Sequence, residues 1–127
     1  MILLTVSEIA ELHENVVTAT GGLQGVRDIG LLESAVLGSY QSFGGEDLYP
    51  TIVEKSARLA YGICKNHPFI DGNKRVAVTA MLVNLRLNHI ALVYTQEELI
   101  ELGLGIAEGS IDFSGIIDWI NTHITVP

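Results

Sequence analysis

Positive charge is scarce in this 127-residue sequence: seven Lys and Arg stand against fifteen Asp and Glu, a formal net charge of −8. Nucleic-acid binding needs a basic surface to neutralise phosphates, so that class is disfavoured. Docking on an anionic membrane is disfavoured for the same reason. Cysteine is scarcer still. Cys64 is the single one, which excludes an internal disulfide and a cysteine-rich zinc site and agrees with a reducing compartment. No apolar run approaches the roughly 18 residues that a bilayer span needs. The opening Met1-Ile2-Leu3-Leu4 lacks a basic region and soon reaches Glu8 and Glu11, so no secretory leader is expected. Charged residues make up only 17% against 48% hydrophobic, which argues against intrinsic disorder. Internal repeats, low-complexity tracts and linkers are lacking too. The expectation is one acidic, soluble, cytoplasmic domain over residues 1–127, long enough to bury roughly two-thirds of its unfolded surface.

The few cations are not scattered. Lys55, Arg58, Lys65, Lys74, Arg75 and Arg86 fall between positions 55 and 86, where Asp71 is the one acid; that window carries +5 and the remainder −13. Such a cluster is ordinarily a solvated helix face, so it needs a second signal before it indicates a site.

The hydrophobic pattern predicts a mostly helical chain. Residues 2–4 read as a short strand, followed by a helix capped by Ser7 and running to about Thr18, where Gly21-Gly22 ends it. A second helix is expected from Asp28 to about Tyr40, with Leu31, Leu32, Ala35 and Val36 facing inward. Ser42–Pro50, with Gly44-Gly45, reads as a loop or short hairpin. Thr51 and Glu54 have capping-box spacing and open a helix that places Val53, Ala57, Ala60 and Cys64 on one side and that Pro68 stops. From about Gly72 to Leu87 the apolar residues cover every side, the mark of a central helix wrapped by others, with Asn88 as its C-cap. Ala91–Tyr94 reads as a short strand, and Thr95 with Glu98 opens a helix that Gly103 and Gly105 are expected to end. A last helix covers about Ser114–His123.

The chemistry concentrates in His67-Pro68-Phe69-Ile70-Asp71-Gly72-Asn73-Lys74-Arg75. This is a loop that delivers a histidine and then the N-terminus of the central helix. Free backbone N–H groups and the helix dipole make such a terminus an anion site. Gly72 lets a ligand come close, Asn73 adds amide donors, and Lys74 and Arg75 add cations, so the sum resembles a phosphate cradle. Asp71 can offer an oxygen to a Mg²⁺ that bridges phosphates. His67 can take the proton of an attacking hydroxyl, while Phe69 is a core anchor for the loop. These parts suit phosphoryl or nucleotidyl transfer. The same residues also read as an ordinary capped helix start beside a surface histidine.

The nine-residue stretch resembles the signature of the Fic/Doc proteins, which are built of helices around a central pair that carries this loop. Gly21-Gly22-Leu23-Gln24-Gly25-Val26-Arg27-Asp28, Leu32-Glu33-Ser34-Ala35, Glu54-Lys55-Ser56-Ala57 and Asn66-His67-Pro68-Phe69 resemble the death-on-curing (Doc) branch in particular, over roughly residues 1–90. The resemblance implies an all-α Fic-fold bundle around a central buried helix, with at most short peripheral strands or a small flap hairpin. It implies His67 as base toward a target-protein hydroxyl, with Asp71 orienting the phosphates of ATP through Mg²⁺ or assisting the histidine. Gly72, Asn73, Lys74 and Arg75 would hold the phosphates, with Arg75 also counted as catalytic. Where the AMP-transferring pattern often has Gly and a second Arg, this chain has Lys74 and Val78. The death-on-curing branch similarly lacks that arginine and transfers the γ-phosphate instead, to a threonine of elongation factor Tu, arresting translation and growth. A toxin of that kind is the reading the resemblance favours, with an antitoxin encoded nearby as partner. An AMP transferase and a catalytically silent partner-binding module are the alternatives.

Some Fic proteins carry an inhibitory helix with Ser/Thr-x-x-x-Glu-Gly/Asn. Ser7-x-x-x-Glu11 comes nearest here, but Leu12 follows it, so inhibition is expected in trans. The stretch Gly44–Pro50 is where the family's flap takes a target segment by strand addition. Cys64 lies three residues from His67, yet a small core thiol is the stronger reading. His13, His89 and His123 are expected to be surface or satisfied residues. Leu99, Ile106, Ile116, Trp119 and Ile120 read as core or interface, and Glu97, Glu98 and Glu101 as a solvated face at a helix start.

Overall fold

The computed structural model describes residues 1–124; the last three of the expected 1–127 unit lie outside the described residues. Six α-helices follow one another: α1 (Val6–Thr20), α2 (Ile29–Leu37), α3 (Ile52–Asn66), α4 (Asn73–Leu87), α5 (Gln96–Glu108) and α6 (Phe113–His123). Between α2 and α3 lie one 3₁₀ turn (Gly38–Tyr40) and an antiparallel hairpin, β1 (Ser42–Phe43) with β2 (Glu46–Asp47). The architecture is all-α, as the pattern predicts, and the 42–50 segment resolves into the hairpin.

Helix starts follow from side-chain caps. Thr5, Asp28, Thr51, Thr95 and Asp112 each accept a hydrogen bond from a first-turn N–H, and Thr5 and Thr95 form reciprocal boxes with Glu8 and Glu98. The cap of α1 is therefore Thr5 rather than Ser7. Only α4 begins without a side-chain cap, on Gly72 in a left-handed conformation at φ 76°.

α3 and α4 pack most extensively. Ala57, Ala60, Ile63 and Cys64 on α3 meet a core that includes Val76, Ala77, Ala80, Met81 and Leu85 on α4, closed by Ile9, Leu32, Leu102, Ile106, Ile116 and Ile120. Burying each of the larger of these side chains is worth roughly 1.5–3 kcal/mol. α4 buries residues from Asn73 to Leu85 because α1, α3 and α5 all pack on it.

Three further expectations differ from the structure. Residues 2–4 pair with no strand. Instead the Ile2 and Leu4 N–H groups donate to the side-chain oxygens of Asn88 (2.8 Å) and Asn84 (3.0 Å) on the last turn of α4. Ala91–Tyr94 forms no strand either; it makes one bridge, Leu92 to Ile124. α5 does not stop at Gly103 or Gly105 but runs through both to Glu108, with Gly109 as its left-handed cap. Both glycines are buried, and a side chain at Gly105 would collide with Ile111. There the close approach of the α5–α6 turn outweighs the roughly 1 kcal/mol that glycine costs a helix.

A clip joins the end of α6 to the start of α5. His123 Nε2 lies 2.7 Å from Glu98 Oε2, Nδ1 lies 2.6 Å from the Trp119 carbonyl oxygen, and the ring stacks on Trp119. Both partners are bare acceptors, so both ring nitrogens donate and the ring is charged. Glu98 is therefore a clip residue and not merely part of a solvated face. Burial opposes the imidazolium, but the Glu98 hydrogen bond, the Trp119 carbonyl and the Glu98 charge outweigh it and hold His123 above its ordinary value of 6.5. The His123 hydrogen bond, then those from Thr95, hold Glu98 below its ordinary 4.5. The histidine part of the clip is complete below about 6.5 and is lost as pH rises through the raised folded value; the glutamate part is complete above about 4.5 and is lost as pH falls through the lowered one. Glu98→Gln keeps the helix cap but not the pair. The melting-temperature gap between it and the unaltered chain should be widest between about pH 4.5 and 6.5 and shrink above that window. A pH-independent gap would show that the pair contributes nothing.

Candidate active site

Pro68 has no N–H to extend α3, so the helix ends on His67, in the left-handed region at φ 49°. The chain then runs extended beside residues 25–28. The Arg27 and Asp28 N–H groups donate to the Pro68 carbonyl (2.7 and 3.0 Å), the Ile70 N–H donates to the Gly25 carbonyl (3.1 Å), and Val26 bridges Phe69. Arg27 closes the seam: its guanidinium donates to the His67 carbonyl (2.7 Å) and the Asn66 carbonyl (2.9 Å), placing a cation at the C-terminal end of α3.

Three side chains hold the loop from below. Phe69 is buried and stacks on His13 with ring centroids 3.8 Å apart and planes 5° from parallel. His13 Nε2 sits 2.6 Å from the Asp71 carbonyl oxygen; a carbonyl only accepts, so this nitrogen carries the proton. Asn73 accepts from the Phe69 N–H (2.9 Å) and donates to the Phe69 carbonyl (3.0 Å). The Asp71 carboxylate takes the Leu23 N–H on Oδ2 (3.0 Å) and the Gly72 N–H on Oδ1 (2.8 Å). Those two backbone bonds, in that order, then the nearby Arg75 and His13, hold it below the usual carboxylate range. Gly22, at φ 118°, is required here, because a Cβ would stand 2.6 Å from Asp71 Oδ2.

The first turn of α4 is left open. The N–H groups of Asn73, Lys74 and Arg75 have no partner among the described residues, and neither do the imidazole of His67 and the ammonium of Lys74. Asp71, Gly72 and Lys74 thus stand in sequence at one uncapped helix start, and His67 ends the helix that leads into that loop. Two of the expected residues are placed differently from the rest. The Asn73 amide faces inward to Phe69, so its side chain organises the loop and its backbone N–H is what it presents to the outside. Arg75 donates to the Thr20 hydroxyl and the Gly21 carbonyl (2.8 Å) at the end of α1, with Asp71 3.9 Å away. Cys64 faces the core, and burial pushes its thiol up to about 11, so it is no nucleophile.

The residues that sequence reasoning missed are His13, Leu23 and Arg27. Arg27 and the Leu23 N–H belong to a stretch that matched the branch pattern but suggested no chemistry by itself. His13 carried no signal, because its partner is 58 positions away. Removing it tests the clamp. His13→Ala loses a stacked buried ring and a hydrogen bond and should cost about 2–4 kcal/mol, read as a shift in the urea midpoint. Glu101→Ala, at an exposed position within α5, should stay within about 0.5 kcal/mol of the parent.

A family model described as the Fic/DOC family matches residues 3–85. Over 84 residues the chain is 40% identical to a protein of Mycolicibacterium smegmatis named Toxin Doc, covering 63% of this chain and 65% of that one, just under two-thirds of its length. Over 111 residues it is 33% identical to a protein of Escherichia phage P1 named Protein kinase doc, covering 87% and 86%. The clamp, the signature loop and nearly all of α4 lie inside the span matched by the model, the helical bundle around α4 is the fold that signature implies, and the chain belongs to the Fic/DOC family.

Proposed function

We propose that this protein transfers the γ-phosphate of ATP to a hydroxyl, a threonine, of a target protein such as elongation factor Tu, and so arrests translation and growth. The observation that carries the reading is the open first turn of α4, which bears the unpaired Lys74 ammonium and follows a loop that begins at the unpaired His67 imidazole. Three unpaired N–H groups, a helix dipole and one free cation are what a polyphosphate needs. The names of the two relatives, a toxin and a protein kinase, support the same reading.

In this mechanism His67 accepts the proton of the incoming hydroxyl as its oxygen bonds to the γ-phosphorus. The bond from that phosphorus to the bridging oxygen breaks, and ADP departs. The N–H groups of Asn73, Lys74 and Arg75, with the Lys74 ammonium, hold the phosphates in line. No group of three or more His, Cys, Asp or Glu among the described residues could hold a metal by itself. Each Asp71 oxygen accepts one hydrogen bond, however, and so keeps a lone pair. That fits Mg²⁺, which takes one or two carboxylates together with substrate phosphates and supplies charge neutralisation there. Val78, apolar and buried, stands where an AMP-transferring relative would have a second arginine, which favours the γ-phosphate as the group transferred. The exposed apolar side chains of Leu23, Val26 and Ile70 beside the loop suit a protein acceptor better than a small hydrophilic one.

The control partner in this reading is an antitoxin. A largely apolar groove of about 440 Å³ between α1, α4 and α5 is lined by Val16, Leu99, Ile100 and Leu104 together with Lys74 and Arg75. An antitoxin segment seated there would cover the cations of the site. The net charge of −8 favours a basic partner surface, so association should weaken as salt rises.

Incubation with elongation factor Tu and ATP labelled at either the γ- or the α-phosphate is the direct test. Label is expected from γ-labelled ATP only. Label from the α-position alone would make the protein an AMP transferase. His67→Ala should slow transfer by about 10²–10⁴-fold and relieve growth arrest on expression; arrest that survives it would point to a silent binding module.

A further inference from the structure

Lys55, in α3, is a buried cation, only 4% exposed. Its ammonium donates to the Ser39 carbonyl (3.0 Å) and to Asp47 Oδ2 (3.3 Å), and it lies 5.9 Å from the centre of the Tyr40 ring. Ser39 donates its own hydroxyl to the Lys55 carbonyl (3.0 Å). On the helical body the lysine is thus fixed by the 3₁₀ turn, and its remaining partner is on strand β2.

The hairpin has little else to hold it. Every residue from Gln41 to Leu48 is exposed, Phe43 at the tip is 83% exposed, and none of them belongs to the core. The ladder has two residue pairs, closed by the Leu48 N–H on the Gln41 carbonyl (2.9 Å). Among the described residues, the Lys55–Asp47 contact is the one hydrogen bond or ion pair that ties residues 41–48 to the rest of the chain.

Parting that pair strands neither charge. Asp47 is already half-exposed, and Lys55 keeps the Ser39 carbonyl and the Tyr40 ring while water reaches the face the hairpin had covered. A fully enclosed ion pair would resist opening because each ion would lose its only solvation. This pair exchanges one charged neighbour for water, so it can open and close.

We propose that Lys55 and Asp47 are positioning residues, a latch that holds the hairpin in place, at the edge where the family resemblance puts an extended segment of the protein acceptor. The acceptor in this statement rests on the function proposed above; the latch does not. Chymotrypsin, acting on the native chain at Phe43, reads the latch directly. Asp47→Asn should be cut about 10-fold faster than the parent at low salt, with an unchanged melting temperature, and Asp47→Glu should restore slow cutting. Moderate salt should accelerate the parent and leave Asp47→Asn unaffected, since screening acts on the pair. Equal cutting of parent and Asp47→Asn would overturn the latch. In the labelling assay with elongation factor Tu, Asp47→Asn should raise the KM for that acceptor several-fold and leave kcat and the KM for ATP unchanged. An unchanged acceptor KM beside faster cutting would overturn the positioning role. A parent that labels nothing would refute the phosphotransfer reading, while the cutting rates still decide the latch.

Discussion

A helix start without a cap has to be held in place by something other than itself. Five of the helices here close their first turns with a Thr or Asp oxygen, and α4 does not. The work a cap performs locally is instead performed by groups from far along the chain: the His13 ring, the Leu23 N–H and the Arg27 guanidinium. Those bonds fix the loop's backbone while leaving the N–H groups of α4 unpaired. Openness at the helix start and rigidity around it are therefore two sides of one arrangement, and the buried core of α3 and α4 supplies the platform on which it rests.

The cation-rich window from 55 to 86 is not one surface. Lys55 is buried under the hairpin, and Arg58 lies near the Tyr49 and Tyr61 rings. Arg75 faces the end of α1, and Arg86 sits on the last turn of α4, roughly 20 Å from its start by helical rise. Of the six, Lys74 is the one left unpaired at the loop. An acidic protein needs very few cations to attract an anion when backbone dipoles supply the remainder.

What could be read from the sequence was what is local. Thr51, Thr95 and Asn88 marked helix ends through short-range bonds, Pro68 marked where α3 must stop, and the residues from His67 to Arg75 carried their chemistry in their order. Ser7 lost the capping role to Thr5 because two neighbouring hydroxyls can both cap and only the reciprocal bond with Glu8 decides. Gly105 misled because its reason is Ile111, across a turn, and residues 2–4 misled because the groups that pair with them are asparagine side chains 80 and 86 positions away. The inward turn of the Asn73 amide and the Lys55–Asp47 contact likewise became visible only in three dimensions.

The burial of Cys64 has a practical consequence. The sequence holds no second cysteine, and this one is enclosed in the core with its thiol raised to about 11. Toward maleimides and spin labels at neutral pH the folded protein should behave as though it had no thiol at all. A cysteine introduced at the hairpin tip would accept a fluorophore or nitroxide at one defined place without any background substitution, and the motion of that tip could be followed by spectroscopy in otherwise unmodified protein.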